Sequence, residues 1–189
     1  MNCRILLIGL TLFYSCEPFV NEFPNEISVA EMYESVAKTP AVATAAPQVI
    51  TWNIRFGSAR FPFYGDSCGD KVIAKKNDIK DNLDNIVAEI NSLDPDIILL
   101  QEVDMFSNRS GYINPIQYLL DNTAMNSVCY TSICQADFVP NHGLRGVVMG
   151  NAILSKYQLT PADRDQLRLR TDQSDLVQYF YLRRNILKV

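Results

Sequence analysis

Residues 49–100 constrain the fold of this chain more than any other stretch. From Val49 to Phe56, Ile50, Trp52, Ile54 and Phe56 alternate with Val49, Thr51, Asn53 and Arg55. That period of two predicts a strand with one apolar face and Asn53 on the more polar one. A loop rich in Gly, Pro and aromatic residues (57–69) follows. Lys76 to Leu93 then carries Ile79, Leu83, Ile86, Val87, Ile90 and Leu93 along a single stripe, the pattern of an amphipathic helix. Asp94-Pro95-Asp96 stops the helix, and the short apolar run Ile97–Leu100 reads as a strand buried on both faces. A strand, helix, strand crossover of this length makes the two strands parallel and right-handed. Their carboxyl ends therefore emerge on one edge of the sheet.

That edge receives two polar residues: Asn53 near the end of the first strand and Glu102 just past the second. Ligands of open α/β sheets collect outside the carboxyl ends of strands. A carboxylate beside an amide suits a hard cation such as Mg²⁺, which keeps several waters and shares its remaining positions with substrate phosphate. Taken singly, each residue also reads as a solvated strand terminus; as a pair they point to a metal site.

Three segments carry a family resemblance: Val49-Ile50-Thr51-Trp52-Asn53-Ile54-Arg55-Phe56-Gly57, Pro95-Asp96-Ile97-Ile98-Leu99-Leu100-Gln101-Glu102-Val103 and Gly150-Asn151-Ala152-Ile153-Leu154-Ser155-Lys156. In that order they resemble the first three motifs of the endonuclease/exonuclease/phosphatase superfamily. The resemblance implies an α/β (α+β) fold, a four-layered sandwich of two mixed sheets flanked by helices. It also implies a metal-dependent phosphohydrolase, of phosphodiesterase or nuclease type. Asn53 and Glu102 match the family's divalent-metal residues, with Mg²⁺ as the expected cofactor and Mn²⁺ as the substitute. Asn151 matches a signature position and is read as structural, in a packed strand. Arg184, in the segment Tyr181-Leu182-Arg183-Arg184, matches a substrate-phosphate position. The family's later Asp-x-Asn and Ser-Asp-His motifs have no counterpart here, so no catalytic residue is assigned and the chain is expected to be an incomplete version of the domain. His142, the only histidine, matches no family histidine and reads as a loop residue. The alternative is a non-catalytic exported lipoprotein remnant or binding protein.

The first residues address the compartment. Arg4, the apolar stretch Ile5–Phe13 and Ser15-Cys16 have the layout of a secretory signal, and the end resembles a bacterial lipobox with Cys16 as the lipid-attachment residue. The stretch is too short to span a bilayer, which needs about 20 apolar residues. The expected organisation is a signal peptide (1–15), a linker (16–48) and a partial catalytic-family domain (49–189), exported and either membrane-anchored through lipid or secreted. No transmembrane helix is expected. Within the linker, Ile27, Ala30, Met32, Val36 and Ala37 are compatible with one short helix over 27–38. Cysteines 68, 129 and 134 would face an oxidising space, where a Cys129–Cys134 bridge and three buried thiols are both open.

Substrate class follows only coarsely. A net charge of −4 and a pI near 5.0 exclude a basic nucleic-acid coat protein and lean away from duplex DNA. Nucleic acid, phospholipid and inositol phosphate all remain as phosphoester partners. Elsewhere, Asn114-Pro115 opens a short helix with Ile116, Leu119, Leu120 and Thr123 on one side. Asn108-Arg109-Ser110 matches a glycosylation triplet by chance, and the charged run 163–175 reads as a solvated loop.

Overall fold

A computed structural model describes residues 28–64, 69–139 and 145–189. The signal segment, the candidate lipid-attachment residue Cys16, Cys68 and His142 lie outside the described residues.

The strand, helix, strand unit is present. Strand β3 (Val49–Asn53) pairs in parallel with β4 (Ile97–Asp104), in register from Val49 opposite Ile97 to Asn53 opposite Gln101. Helix α1 (Lys76–Leu93) joins them. It ends on Asp94 in the left-handed region (φ 48°), whose N–H donates to the Ile90 carbonyl, and Pro95 prevents continuation. Lys156 Nζ reaches the Asp94 carbonyl and carboxylate at 2.9 and 2.7 Å, placing a cation at the negative end of the helix. Helix α2 (Pro115–Asn122) starts as its sequence indicates: the Asn114 side chain accepts from Gln117 N–H at 3.0 Å, with proline at the first position.

Two sheets and their helices form the expected α/β sandwich. The larger sheet has the order β2-β5-β6-β4-β3, with β2 at Glu31–Glu34, β5 at Ser127–Val139 and β6 at Arg145–Ser155. It is mixed: β3–β4 is its parallel pair and the other ladders are antiparallel. The smaller sheet, β1-β7-β8 (Ser28–Val29, Asp163–Gln166, Asn185–Lys188), is antiparallel in both ladders. Helices α1 and α2 cover one face of the larger sheet. There Ile79, Leu83, Ile90, Leu119 and Leu120 pack on Ile98, Leu100 and Leu154. On the other face, Cys129 and Ile153 meet Ala30, Ala162 and Leu187 from the smaller sheet and its flanks. Helix α3 (Asp175–Phe180) precedes the last strand.

Several expectations need correction. The strand beginning at Val49 stops at Asn53, because Arg55 and Phe56 take positive φ (46° and 48°) and turn the chain into a 3-10 turn over Arg55–Gly57. The run Ile97–Leu100 continues to Asp104, and it is buried on one face only. Ile98 and Leu100 are fully buried, whereas Ile97 and Leu99 are half-buried. Residues 28–34 form β1 and β2 rather than a helix, so this part of the expected linker contributes a strand to each sheet. The period that governs is two: Ala30 and Met32 face the Cys129 cluster, whereas Val36, which the helical reading needed, is fully exposed. Likewise, residues 163–166 of the charged run form β7, the central strand of the smaller sheet. Pairing on both sides overrides the poor strand propensity of aspartate. Cys129 and Cys134 are free thiols. Both lie on β5, and five residues along a strand separate them by about 16 Å, far beyond disulfide reach.

Candidate functional site

Asn53 and Glu102 are brought together at the carboxyl ends of β3 and β4. Asn53 Nδ2 donates to Glu102 Oε1 at 2.9 Å, and Asn53 Oδ1 accepts from the Arg55 backbone N–H at 2.9 Å. Glu102 reaches Asn53 because β4 is irregular there: its register against β6 shifts between Leu100 and Val103, and Glu102 itself has φ 55°. A bulge of this kind re-aims a side chain at the end of a ladder. Next to it, Gln101 Nε2 bonds Thr51 Oγ1 at 2.9 Å and the Leu99 carbonyl at 3.0 Å, which ties the polar face of the two strands together.

The donor set fits a cation that retains most of its water. Glu102 Oε1 is engaged by Asn53, and Oε2 accepts no hydrogen bond among the described residues. No group of three or more His, Cys, Asp or Glu gathers around it among those residues. One carboxylate oriented by an amide is a donor set of the kind Mg²⁺ uses, in contrast to the all-protein cages of structural zinc. With its amide oxygen turned to Arg55 and its amide nitrogen to Glu102, Asn53 orients the carboxylate.

Beneath this pair lies a buried ionic cluster that the sequence analysis missed. Arg109 donates to both carboxylate oxygens of Asp104, from Nε at 2.7 Å and from Nη2 at 2.6 Å. Ser110 Oγ adds a third bond to Asp104 at 3.1 Å, and Arg109 Nη2 also meets Met149 Sδ at 3.1 Å. Asp104 is 1% exposed and Arg109 7%. The guanidinium lies 4.2 Å from the Phe56 ring centroid and 5.4 Å from that of Phe63. Burial pushes the Asp104 carboxyl up and would pull Arg109 down, but the fork onto Asp104 holds Arg109 above its ordinary value. We read the pair as ionised, because two short parallel bonds of this geometry join a carboxylate to a guanidinium. The only visible trace of this cluster was the Asn108-Arg109-Ser110 triplet. Its Arg and Ser are in fact buried in a 3-10 turn.

The remaining motif residues occupy distinct places. Asn151 is half-buried on β6 opposite Thr131. Its neighbour Gly150 must be glycine, since a Cβ there would collide with the Thr131 carbonyl and the Tyr130 ring. Arg184 is exposed, just before β8, with its guanidinium 5.8 Å from the Tyr181 ring centroid. A hydrogen bond from Arg184 holds the Tyr181 phenol below its ordinary value. Among the described residues, no hydrogen bond or ion pair joins Arg184 to Asn53 or Glu102. A groove of about 540 Å³ opens beside Asn53, between β3 and α1, lined by Trp52, Arg55, Asn82, Asn85 and Glu89.

A family model described as "Endonuclease/Exonuclease/phosphatase family" matches residues 50–188. No curated protein and no solved structure gives a match.

Proposed function

The chain belongs to the endonuclease/exonuclease/phosphatase family, a superfamily of phosphoester hydrolases, and from that premise we propose that it is a Mg²⁺-dependent hydrolase of the phosphodiesterase or nuclease type. The observation that carries the reading is the 2.9 Å contact between Asn53 and Glu102 at the ends of two parallel strands. Glu102 would hold the cation through its carboxylate, and Asn53 would fix the carboxylate's orientation. A bound divalent cation supplies Lewis-acid polarisation of a phosphoryl oxygen. The groove beside Asn53 gives the non-reacting part of a substrate a place next to that centre, and exposed Arg184 is the candidate phosphate contact on the smaller sheet. The substrate is a phosphoester of nucleic acid, phospholipid or inositol phosphate. The chain's acidity leans away from duplex DNA.

The second reading is a non-catalytic exported binding protein. We place the protein outside the cytoplasm, anchored through lipid at Cys16 or secreted; no described helix is long and apolar enough to cross a membrane.

Calorimetry with Mg²⁺ on the parent and the Glu102→Gln variant tests the metal assignment, and equal affinity in the two refutes it. Turnover of a nitrophenyl phosphodiester with Mg²⁺ or Mn²⁺, lost in Glu102→Gln, supports the hydrolase. Metal binding without turnover of any phosphoester class favours the binding protein.

A further inference from the structure

Asn53 and Glu102 are joined directly by a single solvent-accessible hydrogen bond, yet the backbone on both sides is in conformations that L-residues adopt only at a cost. Arg55, Phe56 and Glu102 have φ of 46°, 48° and 55°. Such geometry persists where surrounding structure over-determines it. Beyond the ladder itself and the Asn53–Glu102 bond, one buried side chain, Arg109, grips both strand ends. Its planar guanidinium covers Phe56, three residues after Asn53, and its fork holds Asp104, two residues after Glu102. We infer that Arg109 is a positioning residue for the Asn53–Glu102 pair, clamping the turn after β3 to the end of β4 and so setting the distance between the two side chains. The cation-binding consequence rests on the proposed function; the clamp itself is a statement about the protein alone.

Arginine is specific to this task. Lysine offers a point charge with no planar face and no bidentate fork, so it cannot cover a ring and hold both oxygens of a carboxylate at once. Phe63, 5.3 Å from Phe56 in an edge-to-face arrangement and 5.4 Å from the guanidinium, flanks the stack.

The test compares the parent chain with Arg109→Lys by amide hydrogen exchange without metal, then by Mg²⁺ calorimetry and Tb³⁺ luminescence, which counts metal-bound waters. The Ile54 and Arg55 amides, bonded to the Gln101 carbonyl and to Asn53 Oδ1, report the clamp; the amides of Leu83–Ile90 in α1 report global stability. We expect Ile54 and Arg55 to exchange about tenfold faster in Arg109→Lys, with α1 unchanged, as in a local opening. Mg²⁺ should bind about tenfold more weakly, as when an outer-shell partner of a metal ligand is lost, with one more water on Tb³⁺. Unchanged exchange at Ile54 and Arg55, or equal acceleration in α1, overturns the inference. Should Arg109→Lys fail to fold, Phe56→Leu, which keeps apolar volume but removes the ring face, is read by the same criteria. A parent chain that binds no Mg²⁺ refutes the functional reading alone, because the exchange measurement uses no metal.

Discussion

Lys38 Nζ donates to the Thr123 carbonyl at 2.6 Å, so a residue that precedes β3 caps the end of α2 from across the molecule. The same amine reaches the Leu120 carbonyl and, at 3.3 Å, that of Met125. Three backbone acceptors at a helix terminus share this one cation, which satisfies carbonyls the helix leaves open and opposes its dipole.

Replacing Lys38 with Met keeps the stem and removes the donor. Charge-assisted bonds to part-buried acceptors contribute about 1.5–3 kcal/mol, and part of this is recovered by water here, so a loss of about 1–2 kcal/mol is expected. Urea unfolding of Lys38→Met against the parent measures it; an unchanged midpoint contradicts the cap.

Asn53→Asp tests the site electrostatically. It puts a second carboxylate where an amide N–H now donates to Glu102 at 2.9 Å. Without metal the like charges repel, and the melting temperature should fall. A divalent cation relieves the repulsion, so the Mg²⁺-induced rise in melting temperature should exceed the parent's. Thermal melts with and without Mg²⁺ decide it, and an equal Mg²⁺ increment in both chains speaks against a cation between these residues.

Asp96 gives the parallel pair a pH dependence. Its carboxylate accepts from the Gln48 N–H at 2.8 Å, and this bond holds its pKa below the ordinary value. A depressed folded-state pKa contributes stability that is present above the unfolded pKa, near 3.9, and is lost as pH falls through the folded value. Asp96→Asn should therefore melt lower than the parent at pH 6, with the difference closing as the pH is taken down to 3. A gap that stays constant over that range refutes the linkage.

Cys129 is fully buried, and burial pushes its thiol up to about 11 from the ordinary 9.0. At a given pH that shift lowers the thiolate fraction about 100-fold, and thiolate is the reacting species. Peptide mapping after alkylation at pH 8 should find Cys129 unmodified in the folded chain and fully modified in guanidinium. Rapid labelling in the folded state would show that β5 opens readily.

Cys16→Ser tests the compartment. Acyl chains on Cys16 would hold the chain on membranes at about 0.8 kcal/mol per buried CH₂. The variant should appear in the soluble fraction without the acyl mass. Membrane fractionation with the mass shift retained eliminates the lipoprotein reading.

Legibility in the sequence tracked how local the determining physics was. Helix α1 was readable to the residue, because Ile79, Leu83, Ile86 and Ile90 repeat at helical spacing and Asp94-Pro95 ends the run. The delivery of Asn53 and Glu102 to one sheet edge followed from the parallel crossover, although the contact between them also needs the bulge in β4. The left-handed turns at Arg55, Phe56 and Glu102 did not, since none is the glycine that normally marks such a turn. Arg109 was invisible for a different reason: a charged residue in a polar triplet reads as surface until its partner, Asp104, is seen buried beside it. The short period-two signal of Ala30 and Met32 was lost among prolines and became legible only through Cys129 on the opposing strand.

The placement of β1 and β2 also orders assembly in time. Both precede the parallel unit in the chain, yet Glu31 pairs with Tyr130, about a hundred residues downstream, and Ser28 with Arg164, farther still. Loop-closure entropy penalises such distant pairings until intermediate contacts have formed, whereas β3, α1 and β4 need only their own short stretch. During synthesis, residues 28–34 leave the ribosome before every strand they pair with and must wait for them. Until β5 and β7 follow, the segment's backbone groups have no ladder to join, and until α2 follows, Lys38 has no helix end to cap.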